Sequence, residues 1–324
     1  MQKISLVFRH FSSNYYSIEN VFGILLPSID AQKVELPYES KGIVNRLKNI
    51  RFLLKQKAQL IHITGHDHYL LWYPFKNAIL TIHDIEALKR KSGFKKWLFQ
   101  KLWFDWPIRN AKLVTTISEF SKKEILTLGN YKTPIKVIPN PLTLPLQYEA
   151  RSFNSRAPRI LHIGTKANKN LARLIDAINE IDATLVIVGK INDELNALVK
   201  QYGISVENKV NLTKSEICEE YRKCDLLAFV STYEGFGLPI LEAQAVGRPV
   251  ITSTVASMPE VARKGALLVD PFSVVDIQKG ILKIINDKAL REELVEQGLE
   301  NVKRFEAKVI AEQYNQLYKQ LENE

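Results

Sequence analysis

The chain has 324 residues, 46% of them hydrophobic and 25% charged, which excludes a disordered, collagen-like or disulfide-stapled protein and allows one large domain or two of medium size. Lys and Arg outnumber Asp and Glu by 45 to 35, a formal charge of +10. The excess lies in the front: residues 1–150 carry 22 basic and 11 acidic side chains, and residues 151–324 carry 23 and 24. All four tryptophans (Trp72, Trp97, Trp103, Trp106) are in that front half too. Such asymmetry points to an anionic partner: nucleic acid, phospholipid or a phosphate-bearing substrate. Cys218 and Cys224, six residues apart on an expected helix, are too few for a disulfide framework or a structural zinc site and read as reduced thiols. No stretch reaches the roughly 18 apolar residues of a membrane span. The first apolar run, Ile4 to Phe8, is shorter than a signal-peptide core, so a cytoplasmic protein is expected.

In chain order, Ile4 to Phe8 reads as a buried strand, followed by a polar loop over 10–20. Leu60 to Thr64 and Ala78 to His83 are further strands. Phe94 to Trp106 has aromatics and leucines at helical spacing with Lys95, Lys96 and Lys101 between them. It reads equally as a core helix or as an interfacial one. Leu113 to Ser118 is another strand. Pro141 to Pro158 has three prolines and no helical period, which marks a linker. Behind it come strand Arg159 to Thr165, helix Asn170 to Ile181, strand Ala183 to Gly189 and a helix to about Tyr202. Strands Asp225 to Thr232 and Arg248 to Ser253 follow, and the pattern is helical from Ser273 to Glu324. Strands alternating with helices predict an α/β protein with parallel sheets. Two Rossmann-like domains are expected, facing each other across a cleft: 1–145, a linker at 146–158, and 159–305. A final helix at 306–324 is expected to pack back on the front domain.

Ser231 to Glu242 is the most informative stretch. A strand runs into it, Pro239 suits a helix start, and Gly235 and Gly237 let the backbone approach a ligand. Free amides at that helix start form an anion site suited to phosphate. Glu234 and Glu242 flank it, and a carboxylate accepts hydrogen bonds from hydroxyls, as on a sugar and a ribose. Phosphate between two hydroxylated rings describes a sugar nucleotide. The plainer reading is a solvated loop with Glu242 as an ordinary early-helix residue.

Glu234 and Glu242, with Gly-Phe-Gly-Leu-Pro between them, resemble the E-x7-E motif of the retaining GT-B glycosyltransferases of family 4. Ala243 to Ile251 and Ser257 to Val261 are similar to the runs that follow it in that family. The resemblance covers 159 to about 305 well and the front half more loosely. It implies the GT-B fold. Glu234 is then implied to contact the donor sugar and Glu242 the ribose, with the amides of Gly235, Phe236, Gly237 and Leu238 holding sugar and diphosphate.

Breaking a sugar–diphosphate bond leaves negative charge that something cationic must meet. No Asp-x-Asp pair exists to hold a metal, and no cofactor is expected beyond a nucleoside diphosphate sugar as co-substrate. After Gly164, Lys169 resembles the family's phosphate-binding lysine. Lys166 stands near its usual arginine, in a loop one residue shorter than the common form. His83-Asp84 resembles the His-Asp that follows a front-domain strand in this family, where the His approaches the donor sugar; capping of a helix by Asp84 is the structural alternative. Catalytic roles are thus implied for Glu234, Lys169 and His83. His62 sits inside an apolar strand and is expected to pack rather than bind metal. The Gly-Gly loop common after the family's first strand is missing, which leaves Tyr15, Tyr16 and Glu19, with Asp84, as acceptor-side candidates.

The expected activity is retaining, metal-independent transfer of a sugar to a saccharide or lipid-linked acceptor, in bacterial-type surface polysaccharide or glycoconjugate synthesis. The basic front suggests an anionic acceptor or peripheral contact with an anionic membrane at its inner face, and no nucleic-acid reader motif is present. A GT-B-fold sugar-nucleotide epimerase and a non-catalytic nucleotide-sugar-binding subunit remain as rival readings.

Overall fold

The computed structural model describes residues 4–10, 17–56 and 58–322, with backbone alone for 17–19. The chain divides into unit 1, residues 1–143 with 306–324, and unit 2, residues 144–305. Each unit is built on one sheet of six parallel strands among the described residues.

Unit 1 contains β1 Ile4–Phe8, β2 Gln32–Glu35, β3 Leu60–Ile63, β4 Ala78–Ile82, β5 Leu113–Thr116 and β6 Ile135–Val137, in the spatial order β2-β1-β3-β4-β5-β6. Every residue of β1, β3, β4 and β5 is buried, as expected for strands covered by helices on both faces. Tyr69, Phe104 and Ile108 pack against one face. The other face carries the helices Ser17–Leu25 and Ala307–Glu322. From the last helix, Tyr318 hydrogen-bonds His62 Nδ1 at 2.7 Å, while His62 Nε2 reaches Thr81 Oγ1 at 2.7 Å. His62 therefore packs inside the sheet, and burial lowers its pKa to about 3.

Unit 2 contains β7 Arg159–Ile163, β8 Thr184–Val188, β9 Ser205–Lys209, β10 Leu226–Phe229, β11 Val250–Ser253 and β12 Leu267–Val269, ordered β12-β11-β10-β7-β8-β9. The core lies between this sheet and the helices Leu171–Ile178 and Val274–Asn286. The stretch 146–158, expected as a linker, has no regular structure but is bound to unit 2. Glu149 donates its amide to Val246, Asn154 donates its amide to Asp225 Oδ1 at 3.1 Å, and Arg151 pairs with Asp225 at 3.5 Å. Phe153 packs on the core under the Arg291 guanidinium, 4.3 Å from its ring centre.

Phe94 to Trp106 packs on the unit-1 core in part and is exposed in part. The helix Gly93–Gln100 runs through a π-helical turn, Lys101–Asp105, into the helix Trp106–Asn110. Phe99, Trp103 and Phe104 face the core. Phe94, Trp97 and Trp106 are 72%, 54% and 54% exposed.

The buried histidine ties stability to pH. A group whose folded pKa lies below its unfolded value binds protons more weakly when folded, so stability falls as pH drops below the unfolded value of 6.5. At pH 5 the loss from His62 is about 2 kcal/mol. Thermal melting of the His62→Gln protein should therefore change less between pH 7 and pH 5 than that of the parent; an unchanged slope would assign the acid sensitivity elsewhere.

Candidate active site

In an open α/β sheet, ligands bind beyond the carboxyl ends of the strands where the strand order reverses. In unit 2 that place lies between β7 and β10, neighbours whose following strands run to opposite edges. The loops after these two strands carry most of the residues implied in donor binding.

After β7, Gly164 turns the chain at φ +92°, a conformation costly for other residues. A Cβ here would stand 3.0–3.3 Å from three carbons of the Lys169 side chain. The glycine is thus what lets Lys169 lie back across the loop. A 3-10 turn, Ala167–Lys169, then delivers Asn168, Lys169 and Asn170 in succession. Asn170 takes the left-handed conformation (φ 61°), is buried, and holds two carbonyls with its Nδ2: Val230 at 3.0 Å and Pro271 at 2.7 Å.

The loop after β10 is stitched to this one. Thr232 donates its amide to Asn168 O at 2.8 Å, and Asn168 Nδ2 donates to Tyr233 O at 2.9 Å and to Glu234 Oε1 at 3.2 Å. Lys169 Nζ lies 2.7 Å from the same Glu234 oxygen, with both side chains mostly buried, and 4.8 Å from the centre of the Phe229 ring. The predicted cation and the predicted sugar-binding carboxylate therefore form one charge-assisted pair, 65 residues apart in the chain. Ser257 clamps the far side of the loop, donating its hydroxyl to Glu234 O at 2.9 Å and Phe236 O at 2.6 Å.

Gly237, at φ +117°, ends the loop and opens the helix Leu238–Val246. Phe236 is buried and meets Phe305 edge-on at 5.7 Å. Leu238 is the first helical residue, with Pro239 one position later than the sequence suggested. Glu242, buried one turn into that helix, accepts a hydrogen bond from Tyr221 Oη at 2.6 Å. Burial and the carboxylate push the Tyr221 hydroxyl well above its ordinary pKa, so it stays a donor. Lys166 is exposed at the start of the 3-10 turn.

The front-half candidates lie in unit 1. His83 follows β4 and is buried, its Nε2 donating to Thr64 O at 2.9 Å, with its ring centre 5.9 Å from that of His66. Asp84 accepts the Glu86 amide at 2.8 Å, a local turn contact. Tyr15 and Tyr16 lie outside the described residues, and Glu19 falls in the helix Ser17–Leu25. No group of three metal-ligating side chains occurs among the described residues.

Three contributors escaped sequence reasoning: Asn168, Tyr221 and Ser257. None carries a spacing signal, because each acts through a backbone or a partner distant in sequence. Asn168 stood inside a recognised loop, between two residues whose side-chain charge drew the attention.

Residues 148–301 match the family described as glycosyl transferases group 1, and residues 25–144 match glycosyltransferase family 4. The chain belongs to the family 4 glycosyltransferases. Among relatives of this family 4 protein, an uncharacterized glycosyltransferase of Methanocaldococcus jannaschii is 29% identical over 70% of this chain and 64% of its own length. The O-antigen chain mannosyltransferase B of Escherichia coli is 28% identical over 75% of this chain and 70% of its own. The archaeal match thus spans just under two thirds of that relative. HepE of Anabaena, solved in complex with UDP and glucose, superposes with a TM-score of 0.81 at 18% identity, covering 99% of this chain and 100% of that one. This likeness gives the fold, GT-B.

Tyr221 supplies a test of the buried contact that holds Glu242. Tyr221→Phe removes the hydroxyl from a buried carboxylate and should cost about 1–3 kcal/mol. Chemical denaturation would read it as a lower midpoint with an unchanged slope.

Proposed function

We propose that the protein transfers a sugar from a nucleoside diphosphate sugar to a saccharide or lipid-linked acceptor, with retention at the anomeric carbon and without a metal. The observation that carries this is the Lys169–Glu234 pair at the unit-2 switch point, 2.7 Å apart and beside the helix that starts at Leu238. A diphosphate arriving there competes with Glu234 for Lys169. As Lys169 turns to phosphate, Glu234 is released to accept sugar hydroxyls, so both groups change partner together. The amides from Gly235 to Leu238 and the helix dipole meet the remaining charge. Lys169 then stabilises the diphosphate as the bond to the sugar breaks, and Lys166 contributes from the rim. Glu242, held by Tyr221, accepts from ribose hydroxyls. His83, fixed by its Nε2 bond to Thr64 O, is the residue for which the family resemblance implies a contact with the donor sugar. The O-antigen mannosyltransferase among the relatives supports a place in surface-polysaccharide synthesis.

Glu234→Gln and Lys169→Ala should each lower transfer at least a hundredfold, equivalent to about 2.7 kcal/mol of transition-state stabilisation, with the parent's circular dichroism retained although the melting midpoint falls, because each change leaves one charge of a mostly buried pair without its partner. Transfer that survives both changes would sink the assignment. Among UDP-, GDP- and dTDP-sugars, one class should raise the melting temperature, since donor at 100 times its Kd adds about 2.7 kcal/mol. Incubated with donor alone, the protein should yield no isomerised sugar nucleotide, as an epimerase would.

We also propose contact with an anionic membrane through unit 1. Phe94, Trp97, Leu98 and Trp106 are exposed along one helical stretch, interspersed with Lys95, Lys96 and Lys101. Aromatic rings among lysines suit an acidic lipid surface. Co-sedimentation with vesicles should rise with their acidic-lipid content and fall in a Phe94→Glu, Trp97→Glu protein; indifference to acidic lipid would remove this contact.

A further inference from the structure

Unit 1 has a switch point of its own, distinct from the donor loops of unit 2. Strand order reverses between β1 and β3, so a crevice opens beyond their carboxyl ends. A cavity of 620 Å³ occupies it, lined by Arg9 after β1, His66 and Asp67 after β3, and by Glu39, Lys41 and Arg46.

Arg46 is held from several sides. It comes from the helix Ile43–Leu54, and its Nε donates to Ser40 O at 3.1 Å. The guanidinium lies 4.6 Å from the centre of the Trp103 ring and 5.7 Å from that of Tyr69. The platform beneath it is itself fixed. Tyr69 Oη hydrogen-bonds Ser40 Oγ at 3.0 Å and accepts from Asn49 Nδ2 at 2.9 Å, and Asn49 also binds the amide and carbonyl of Tyr38. With Nε and the ring face so occupied, the two terminal nitrogens of Arg46 have no protein partner among the described residues. Lys41, exposed on the same cavity, also has no ion-pair partner among them.

A planar guanidinium fork with its terminal nitrogens open matches an oxyanion bidentately. Sugar stacking is a poorer fit, because the Trp103 face that would receive a ring is already beneath the guanidinium. Three cations share the cavity with two carboxylates, Glu39 and Asp67. That mixture suits a molecule with both phosphate and hydroxyl groups. Resting on the glycosyltransferase reading above, we propose that this cavity binds a phosphate group of the acceptor, with Arg46 as its receptor and Lys41 as a second cation. The phosphate belongs either to a soluble sugar phosphate or to a lipid-linked one.

Calorimetric titration of the full chain tests this, in a Lys169→Ala background so that the donor loops do not capture the probe. The probes are α-D-glucose 1-phosphate, its uncharged counterpart methyl α-D-glucoside, and farnesyl phosphate below its micellar concentration. At least one phosphate should bind, the glucoside should give no signal, and Arg46→Ala should weaken phosphate binding at least tenfold. Arg46→Lys, which keeps the charge but loses the fork, should fall between. Tighter binding of farnesyl phosphate supports a lipid-linked acceptor, and tighter binding of glucose 1-phosphate a soluble one. If Arg46→Ala does not fold, Lys41→Ala, whose side chain has no protein partner among the described residues, must still weaken binding severalfold. Binding indifferent to both changes, absence of any phosphate binding, or a glucoside that binds as well as the sugar phosphate, overturns the proposal. Phosphate binding that persists while Glu234→Gln leaves transfer intact would overturn the donor assignment alone.

Discussion

A parallel strand must be followed by a crossover before the next can pair, so every loop leaving a carboxyl end emerges at one edge of its sheet. Here that constraint acts twice, once in each unit. In unit 2 it brings the loop after β7 against the loop after β10, and in unit 1 it brings the residues after β1 against those after β3. The chemistry-bearing residues of both units are local consequences of this geometry. Lys169 and Glu234 meet because their strands are neighbours, although 65 residues separate them.

Within that frame, polar side chains on backbone carbonyls do most of the positioning. Asn170 spans Val230 and Pro271, Asn168 spans Tyr233 and Glu234, and Ser257 spans Glu234 and Phe236. Each ties two segments that would otherwise be independent loops. The Lys169–Glu234 pair therefore sits on a preformed support. In a largely buried setting such a pair is stable only while each charge keeps a partner. An entering diphosphate and sugar exchange those partners without leaving either charge alone.

Much of this was legible in the sequence, and the failures share a cause. The β1 strand and the central strands β3, β4, β5, β7, β8, β10 and β11 all appeared as apolar runs, because strands covered on both faces must be apolar throughout. The four that were missed, β2, β6, β9 and β12, are the edges of the two sheets. Their residues are partly exposed, as in β9 Ser205–Lys209, and their apolar runs are broken by polar residues or, in β12, only a few residues long. Several expected strands also ran one to three residues past their ladders, to Thr64, His83, Thr165 and Thr232. In the site, Glu234 and Glu242 stood out by type and spacing, and Gly164 and Lys169 through the resemblance to the family. Tyr221 did not, because an ordinary helical tyrosine gives no sign of the carboxylate it meets. Arg46 was one basic residue among many in the front half. Only the stacking on Trp103 and the fixed Ser40 carbonyl set it apart.

The helix Ala307–Glu322 belongs to unit 1, although all of unit 2 precedes it in the chain. It supplies Tyr314 and Tyr318 to the unit-1 core and a hydrogen-bond partner to His62 inside the sheet. During synthesis, the amino-terminal 143 residues leave the ribosome long before that helix exists. Until it arrives, one face of their sheet is covered, among the described residues, by the helix Ser17–Leu25 alone and the His62 ring lacks one of its two partners. Unit 2 is continuous in sequence and meets no such delay. Although it starts first, unit 1 is completed last, and the apolar surface that the last helix buries stays open to aggregation until then.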